Sequence, residues 1–412
     1  MNPGTYIVSL VPLALSVALT AKAAPLTIDS AAALARSNNT EVVVARFAIE
    51  EARGRLQQSG RLANPELEGE FKPNVRGREG SWEIGVSQKI PLTSRLRLER
   101  AVSRAELAVA EAEVREMERK VALETRLVAV RIAALDAHRD LRARQLANSR
   151  ELAEASRKSA ARGEVPALES AHLELETARL ETEQLEVDAE RHSALDELRT
   201  LIGIEVGAPL EFRDELPPAQ LPSPVEVPVN SHSEVQTAAA RVQAAQEDVA
   251  LARAQRWEDA SFGLFGEMER DEDVPIGRQT HSYVGVRFAL PLPFWNRNEG
   301  RRHEAEAAAQ RAEAEARARA RHIRAETHAA RRQMVATMQL NSNLATNLLP
   351  RATSIEDNLR SHTAQGQVTF PEVLRARERR LELECKRLET LRDFHLARVR
   401  YESATSRNTD AR

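Results

Sequence analysis

The segment SWEIGVSQKIPL at positions 81–92 returns in altered form as HSYVGVRFALPL at positions 281–292, an offset of 200 residues. Gly85, Pro91 and Leu92 recur as Gly285, Pro291 and Leu292, and three branched apolar positions also correspond. Two shorter matches flank this pair in the same order, at offsets of 193 and 203: Glu41-Val42 with Glu234-Val235, and Gly163-Glu164-Val165 with Gly366-Gln367-Val368. Three matches in one order indicate an internal duplication.

Each copy is predicted to contain a medium helix, a β-hairpin, a very long helix and a last helix. The first copy occupies 25–215, with helices at 30–62, 94–161 and 166–202 and a β-hairpin at 65–92. The second occupies 231–405, with helices at 231–258, 296–361 and 369–405 and a β-hairpin at 261–292. A linker at 216–230, rich in prolines that prevent helix formation, separates the copies. A disordered tail is predicted at 406–412.

The composition favours long helices over a thick globular core. Of 412 residues, 29% are charged and only 4% are aromatic. A heptad spacing of apolar residues in the first long helix predicts coiled-coil packing, through Leu107, Val114, Val121, Val128 and Leu135. The single Cys385 excludes a disulfide scaffold, and a net charge of -3 gives no indication of nucleic-acid binding. The fold class is therefore mainly α with a small β part.

Helix lengths suggest how the elements pack. At about 1.5 Å per residue, the first long helix spans about 100 Å, and the medium and last helices of the same copy together span about as much. The second copy gives the same agreement. We therefore expect a rod in which two short helices stack end to end beside each long one.

The N-terminus resembles a secretory signal. Residues 6–20 are uncharged and mostly apolar, and Ala21-Lys22-Ala23 has the small-x-small pattern of a signal-peptidase site. An N-terminal anchor or a buried helix is the alternative, and no Lys or Arg precedes the apolar run. We assign 1–24 as a signal peptide and expect the protein to be exported.

The strand segments alternate between apolar and polar residues over about ten positions. This pattern is typical of a membrane β-strand with lipid on one side and water on the other, although a half-buried soluble sheet would show the same alternation. Eight of the 15 aromatic residues fall in the two predicted hairpins or within three residues after the second one. A sheet in lipid must close, and four strands are too few to close a barrel, so a membrane location requires an oligomer.

The duplicated unit, the signal sequence and the Ile90-Pro91-Leu92 and Leu290-Pro291-Leu292 strand ends resemble the TolC outer-membrane efflux family. The stretch LPLPFWNRNEG at 290–300 resembles the CzcC-like branch, which exports heavy-metal cations. This resemblance implies a homotrimer in the outer membrane of a Gram-negative bacterium. Its 12-stranded β-barrel would continue as a periplasmic α-helical tunnel. The implied partners are a periplasmic adaptor protein, an inner-membrane RND-type transporter and outer-membrane lipid.

The resemblance also implies functional residues. Adaptor docking would use the hairpin tips, at Gly163, Val165, Pro166, Leu168, Gly366, Val368 and Phe370. A tunnel constriction would involve Glu169, Glu372 and Arg375, where Arg375 replaces the second acid of the family pattern. Aromatic residues at the lipid interface would be Phe71, Trp82, Phe262, Tyr283, Phe288 and Trp295. Each tip residue has a structural alternative, as a turn staple or a solvated helix charge.

The sequence contains no phosphate-binding loop, HExxH motif or paired cysteine, so we expect no enzyme activity, no cofactor and no metal site. Two other protein classes remain. One is a periplasmic adaptor, which would have a single helical hairpin flanked by lipoyl-like and β-barrel segments. The other is a soluble periplasmic coiled-coil scaffold.

Overall fold

The computed structural model of the chain describes residues 25–73, 79–163, 165–223, 229–273, 277–363 and 370–405. The predicted signal peptide and the predicted disordered tail at 406–412 lie outside these ranges. The first copy contains α1 (Ile28–Asn38), α2 (Thr40–Gln58), β1 (Glu66–Pro73), β2 (Gly80–Ile90), α3 (Arg95–Ala161) and α4 (Ala167–Leu201). The second contains α5 (Ser233–Ala254), β3 (Ala260–Asp273), β4 (Gly277–Ala289), α6 (Glu299–Asn343), α7 (Leu349–Thr363) and α8 (Phe370–Ala404).

The helices form four parallel columns. Helix α3, 67 residues long, packs on one side against α1, α2 and α4 and on the other against α5 and α8. Helices α5 and α8 in turn pack against α6, and α8 also packs against α7. The four columns therefore lie side by side in the order α2/α4, α3, α5/α8 and α6/α7. The predicted arrangement of mainly helical hairpins with a small sheet is confirmed.

The medium helix predicted at 30–62 is interrupted. Asn39 has an extended backbone (ψ 132°), which ends α1 and lets its side chain accept hydrogen bonds from the backbone N–H groups of Glu41 (2.8 Å) and Val42 (3.4 Å). The same side chain donates to the carbonyl of Leu201 at the end of α4 (2.9 Å). Asn39 thus caps α2 and ties it to α4, which is the end-to-end stacking that the helix lengths suggested.

The long helix predicted at 296–361 is also divided. Residues Leu344–Leu348 form a π-helical turn between α6 and α7, where the N–H of Leu349 bonds the carbonyl of Leu344. Pro350 follows directly, and proline removes the N–H donor that a regular α-helix needs. Helix α6 begins at Glu299 rather than at the predicted position 296, because Asn298 adopts a left-handed conformation (φ 58°).

Two small cores hold the columns together, one in each copy. The first joins α1, α2, α3 and α4 and contains Val42, Val121, Val128, Ile132 and Leu198. The second joins α6 and α8 through Met334, Phe394 and Tyr401. Of the predicted heptad positions, Val114, Val121 and Val128 are buried. Each core is small because helix pairs meet along narrow seams.

Both β-hairpins belong to one antiparallel sheet of order β1-β2-β3-β4. Strand β2 pairs with β3 over eleven residues, from Gly80↔Arg270 to Ile90↔Ala260, so this pairing joins the two copies. Strand β1 pairs only with β2, and β4 only with β3. The sheet therefore has two open edges, adjacent in sequence to the two outer helix columns.

Candidate functional site

The register divides the sheet into an apolar face and a polar face. Directly paired residues of antiparallel strands lie on the same face. The apolar face collects large hydrophobic side chains from all four strands: Leu67, Phe71, Trp82, Ile84, Val86, Phe262, Leu264, Val284, Val286 and Phe288. They are largely exposed in the single chain, with Val284 at 89% and Val286 at 80%. A surface of this size calls for an apolar partner.

Four of the aromatic residues predicted for a lipid interface lie on the apolar face. They are Phe71, Trp82, Phe262 and Phe288, and the rings of Phe262 and Phe288 stand 4.9 Å apart. Tyr283 does not join them. It pairs with Glu267 and therefore lies on the polar face, because residues alternate sides along a strand. Trp295 lies in the segment between β4 and α6 and is 96% exposed.

The polar face carries charged side chains that pair across strands. Arg287 on β4 bonds Glu68 on β1 (3.0 Å) and also Glu83 on β2. Its guanidinium lies 5.1 Å from the ring centroid of Phe265 on β3, in a cation–π contact. Lys89 on β2 pairs with Glu66 on β1 (2.6 Å), whereas Lys72 pairs with Glu70 on its own strand (2.9 Å). The hydroxyl of Ser87 donates to Glu68 (2.7 Å).

The first hairpin tip has the predicted turn geometry. Gly163 has a left-handed backbone (φ 73°), and no atom would meet a Cβ placed there within 4 Å. Val165 is half-buried, Pro166 precedes the first residue of α4, and Leu168 is 69% exposed. Glu169 lies half-buried in the first turn of α4. An exposed leucine beside a tight turn is suited to contact with another protein.

Most of the second hairpin tip lies outside the residues that the structure describes. Gly366 and Val368 lie outside the described residues, and Phe370 is described only as the first residue of α8. Glu372 and Arg375 are exposed residues at the start of α8. Further along α8, Arg380 pairs with Glu356 of α7 and with Glu384. The sequence pattern did not predict this ion-pair cluster, because pairing between helices depends on how each helix is rotated about its axis.

A largely buried polar network, which the sequence pattern did not predict, joins the two copies. Arg119 on α3 donates to Glu116 (2.7 and 2.9 Å), to Glu234 on α5 (2.9 Å) and to the hydroxyl of Ser403 on α8 (2.6 Å). Burial is the main cause that raises the pKa of Glu234, and the negative charge of Glu116 raises it further. Burial acts in the same direction on Glu116, but hydrogen bonds from Arg119 and Ser233 outweigh it and lower its pKa.

His232 caps α5 next to this network. Its Nδ1 accepts from the N–H of Glu234 (3.2 Å), and the residue is 2% exposed. His232 lies 193 residues after Asn39, the same offset that relates Glu234 to Glu41, so the two residues cap equivalent helices in the two copies. The pKa of His232 is lowered to about 4, mainly by burial and to a smaller extent by the positive charge of Arg119.

Within the ranges that the structure describes, no three His, Cys, Asp or Glu side chains are grouped as metal ligands. None of the described helices combines the length and apolarity needed to cross a membrane.

Comparison with known proteins finds relatives among solved structures only; neither the family models nor the curated proteins give a match. The outer membrane protein VceC of Vibrio cholerae is 18% identical, with 92% of this chain and 95% of that chain covered and a TM-score of 0.72. The CmeC outer membrane channel of Campylobacter jejuni is 13% identical (92% and 85% covered, TM-score 0.73). The MtrE outer membrane channel of Neisseria gonorrhoeae is 14% identical (92% and 88%, TM-score 0.70).

At these identities the similarity establishes a shared architecture. The chain shares the fold of the outer-membrane channel proteins to which it is similar. This is the TolC-like fold.

Proposed function

We propose that the protein is the outer-membrane channel of a tripartite efflux system. The observation that carries the proposal is the division of one open sheet into an apolar face and a charged face. In a membrane barrel the apolar face contacts lipid and the charged face lines water. The open edges of β1 and β4 leave backbone groups unpaired, which costs several kcal/mol each in lipid, so copies of the chain must complete the barrel.

The two outer helix columns also present apolar side chains that the chain itself leaves uncovered. Val44 and Phe47 on α2 are each 63% exposed, and Ile355 on α7 is 55% exposed. Contact between the α2/α4 column of one copy and the α6/α7 column of the next would bury them. We propose a homotrimer, because three copies give twelve strands and a lumen whereas two would give eight and a filled interior.

Fractionation and crosslinking test the channel proposal. The protein is expected in outer-membrane extracts, and crosslinking in mild detergent should yield a species of three times the subunit mass. Phe47→Asp should prevent that species from forming, whereas Phe47→Leu should preserve it. Recovery of a stable monomer from the soluble periplasm would refute the proposal and favour the scaffold alternative. A periplasmic adaptor would have a single helical hairpin. This chain has two helical hairpins and one shared sheet, which does not favour that alternative.

The partners we propose are a periplasmic adaptor and an energised inner-membrane RND-type transporter. Docking would use the hairpin tips, where Gly163, Val165, Pro166 and Leu168 form the described part of the surface. Leu168→Asp should abolish export while the trimer still forms, and Leu168→Met should export normally. Phe370→Asp is expected to act in the same way at the second tip. Normal export by both aspartate variants would contradict docking at these tips.

The cargo we propose is a heavy-metal cation, in keeping with the CzcC-like resemblance of residues 290–300. Glu169 and Glu372 would line the tunnel near the tips, and Arg375 would moderate their negative charge. A strain that lacks the gene should become sensitive to divalent metals in a panel that also includes organic drugs. Sensitivity to drugs alone would exclude the metal cargo and leave the channel proposal standing.

A further inference from the structure

Arg287 differs from the other basic residues of the polar face because its side chain contacts glutamates on two other strands. Among the ion pairs of the described sheet, Lys72 and Lys89 each contact a single glutamate on the adjacent or the same strand. Arg287 instead crosses from β4 to Glu83 on β2 and Glu68 on β1. Its path passes over Phe265, whose ring lies against the backbone of Gly285; a Cβ at Gly285 would stand 2.5 Å from the ring. The glycine therefore leaves room for the ring that supports Arg287.

Arg287 reaches a position where like charges are crowded. Glu70, Glu83 and Glu267 are direct register partners on three successive strands. Neighbouring strands lie about 4.8 Å apart, and like charges that face each other directly destabilise a sheet. In the described strands with described side chains, the polar face carries seven acidic residues against three basic ones: Glu66, Glu68, Glu70, Glu83, Glu267, Glu269 and Asp271 against Lys72, Lys89 and Arg287.

We propose that Arg287 sets the charge selectivity of the barrel lumen. It cancels part of an acidic wall by holding one positive charge against Glu68 and Glu83, so the wall still favours cations but less strongly than its glutamates alone would. Arg287 is thus a specificity-determining residue for a cationic cargo. The inference rests on the proposed function, because the polar face acts on cargo only if it lines a water-filled pore.

A cysteine reporter measures the potential of the polar face separately from that of the hairpin tips. Ser81 lies on the polar face, two residues from Glu83, and Val284 lies on the apolar face. Ser81→Cys and Val284→Cys are placed in a Cys385→Ala background, and their reaction rates with a cationic and an anionic methanethiosulfonate are measured in outer-membrane vesicles. Ser81→Cys should react faster with the cationic reagent, and Val284→Cys should be protected by lipid.

Replacement of Arg287 should change the reporter ratio. Arg287→Gln removes one positive charge held near Gly85, four residues or roughly 13 Å along the strand from the reporter. At about 10 mM salt, where screening is weak, the ratio of cationic to anionic rates should therefore rise about twofold. Arg287→Lys keeps the charge but loses the two-pronged contact, and its ratio should stay near that of the parent. The double variant Arg287→Gln with Glu83→Gln restores the net charge and should return the ratio to the parent value. These two variants also separate charge from any effect on folding.

The outcomes distinguish this inference from the function on which it rests. If Val284→Cys reacts as fast as Ser81→Cys, the sheet is not in lipid and both proposals fail. If Val284→Cys is protected but Arg287→Gln leaves the ratio at Ser81→Cys unchanged, the channel stands and the role of Arg287 is refuted. A ratio that falls in Arg287→Gln, or that rises equally in Arg287→Lys, would also overturn it.

Discussion

Replacement of His232 by asparagine tests the junction between the two copies. Asn39 already caps the equivalent helix of the first copy, so His232→Asn keeps a capping side chain and removes a titratable ring. The ring faces Arg119 and Glu116 from α3 and the backbone of Ser403 from α8. In the folded protein its pKa is lowered from 6.5 to about 4, mainly by burial.

The sign of the effect follows from proton binding. Above pH 6.5 the ring is neutral in both states, so it contributes no pH dependence. Between pH 6.5 and about 4 the unfolded chain binds a proton that the folded chain does not, and stability falls as the pH falls. At about 1.4 kcal/mol per pH unit, the loss from His232 reaches about 3 kcal/mol near pH 4 and grows no further below it.

The assay compares denaturant unfolding of the detergent-solubilised protein, followed by helical circular dichroism, from pH 7.5 to 4. The stability of wild type relative to His232→Asn should decline by about 3 kcal/mol over this range, whatever its value at pH 7.5. The exposed His322→Asn serves as the control for loss of a histidine as such. A difference between wild type and His232→Asn that stays constant with pH would refute the assignment of a buried neutral ring.

Three further substitutions test the contacts that join the columns, each by the same unfolding assay at pH 7.5. Arg119→Met leaves the buried Glu116 and the half-buried Glu234 with only the longer contacts to Lys120 (3.7 Å) and Arg319 (3.4 Å) and should cost about 3 kcal/mol. The exposed Arg115→Met should cost under about 0.5 kcal/mol. Gly203→Ala should be much more destabilising than Gly207→Ala: both have positive φ, but only at Gly203 would the Cβ meet a backbone oxygen, at 2.5 Å. Asn39→Ala should cost about 2 kcal/mol, since it removes a helix cap and the bond to Leu201; a cost near zero would argue against the tie between α2 and α4.

Local sequence patterns predicted the elements of this fold closely. The long helix predicted at 94–161 is observed as Arg95–Ala161, because an uninterrupted run of helix-forming residues ends at Gly163. The breaks at Asn39 and Leu344–Leu348 were missed. Asn39 leaves the helix for a bond to Leu201, which lies 162 residues away, and the local sequence carries no signal of that partner.

The residues of the candidate site were likewise predicted only in part from the sequence. Alternation predicted which residues of each strand share a face, and the register confirms it for Phe71, Trp82, Phe262 and Phe288. Tyr283 was predicted at the lipid interface because it is aromatic, and the register pairs it with Glu267 on the polar face. The sequence did not predict the contacts of Arg287 with Glu68 or of Arg119 with Glu234 and Ser403, because these residues lie between 115 and 284 positions apart.

By itself, the sequence determined the duplication, the order of helices and strands, and the two-sided character of each strand. These properties depend on residues close together in the chain, through helix propensity, turn chemistry and the period-two pattern. Only the tertiary structure decided that the hairpins join through β2 and β3, and that Asn39 and His232 close equivalent junctions. Those outcomes depend on which surfaces meet across hundreds of residues, and that is settled by packing and by pairing of buried polar groups.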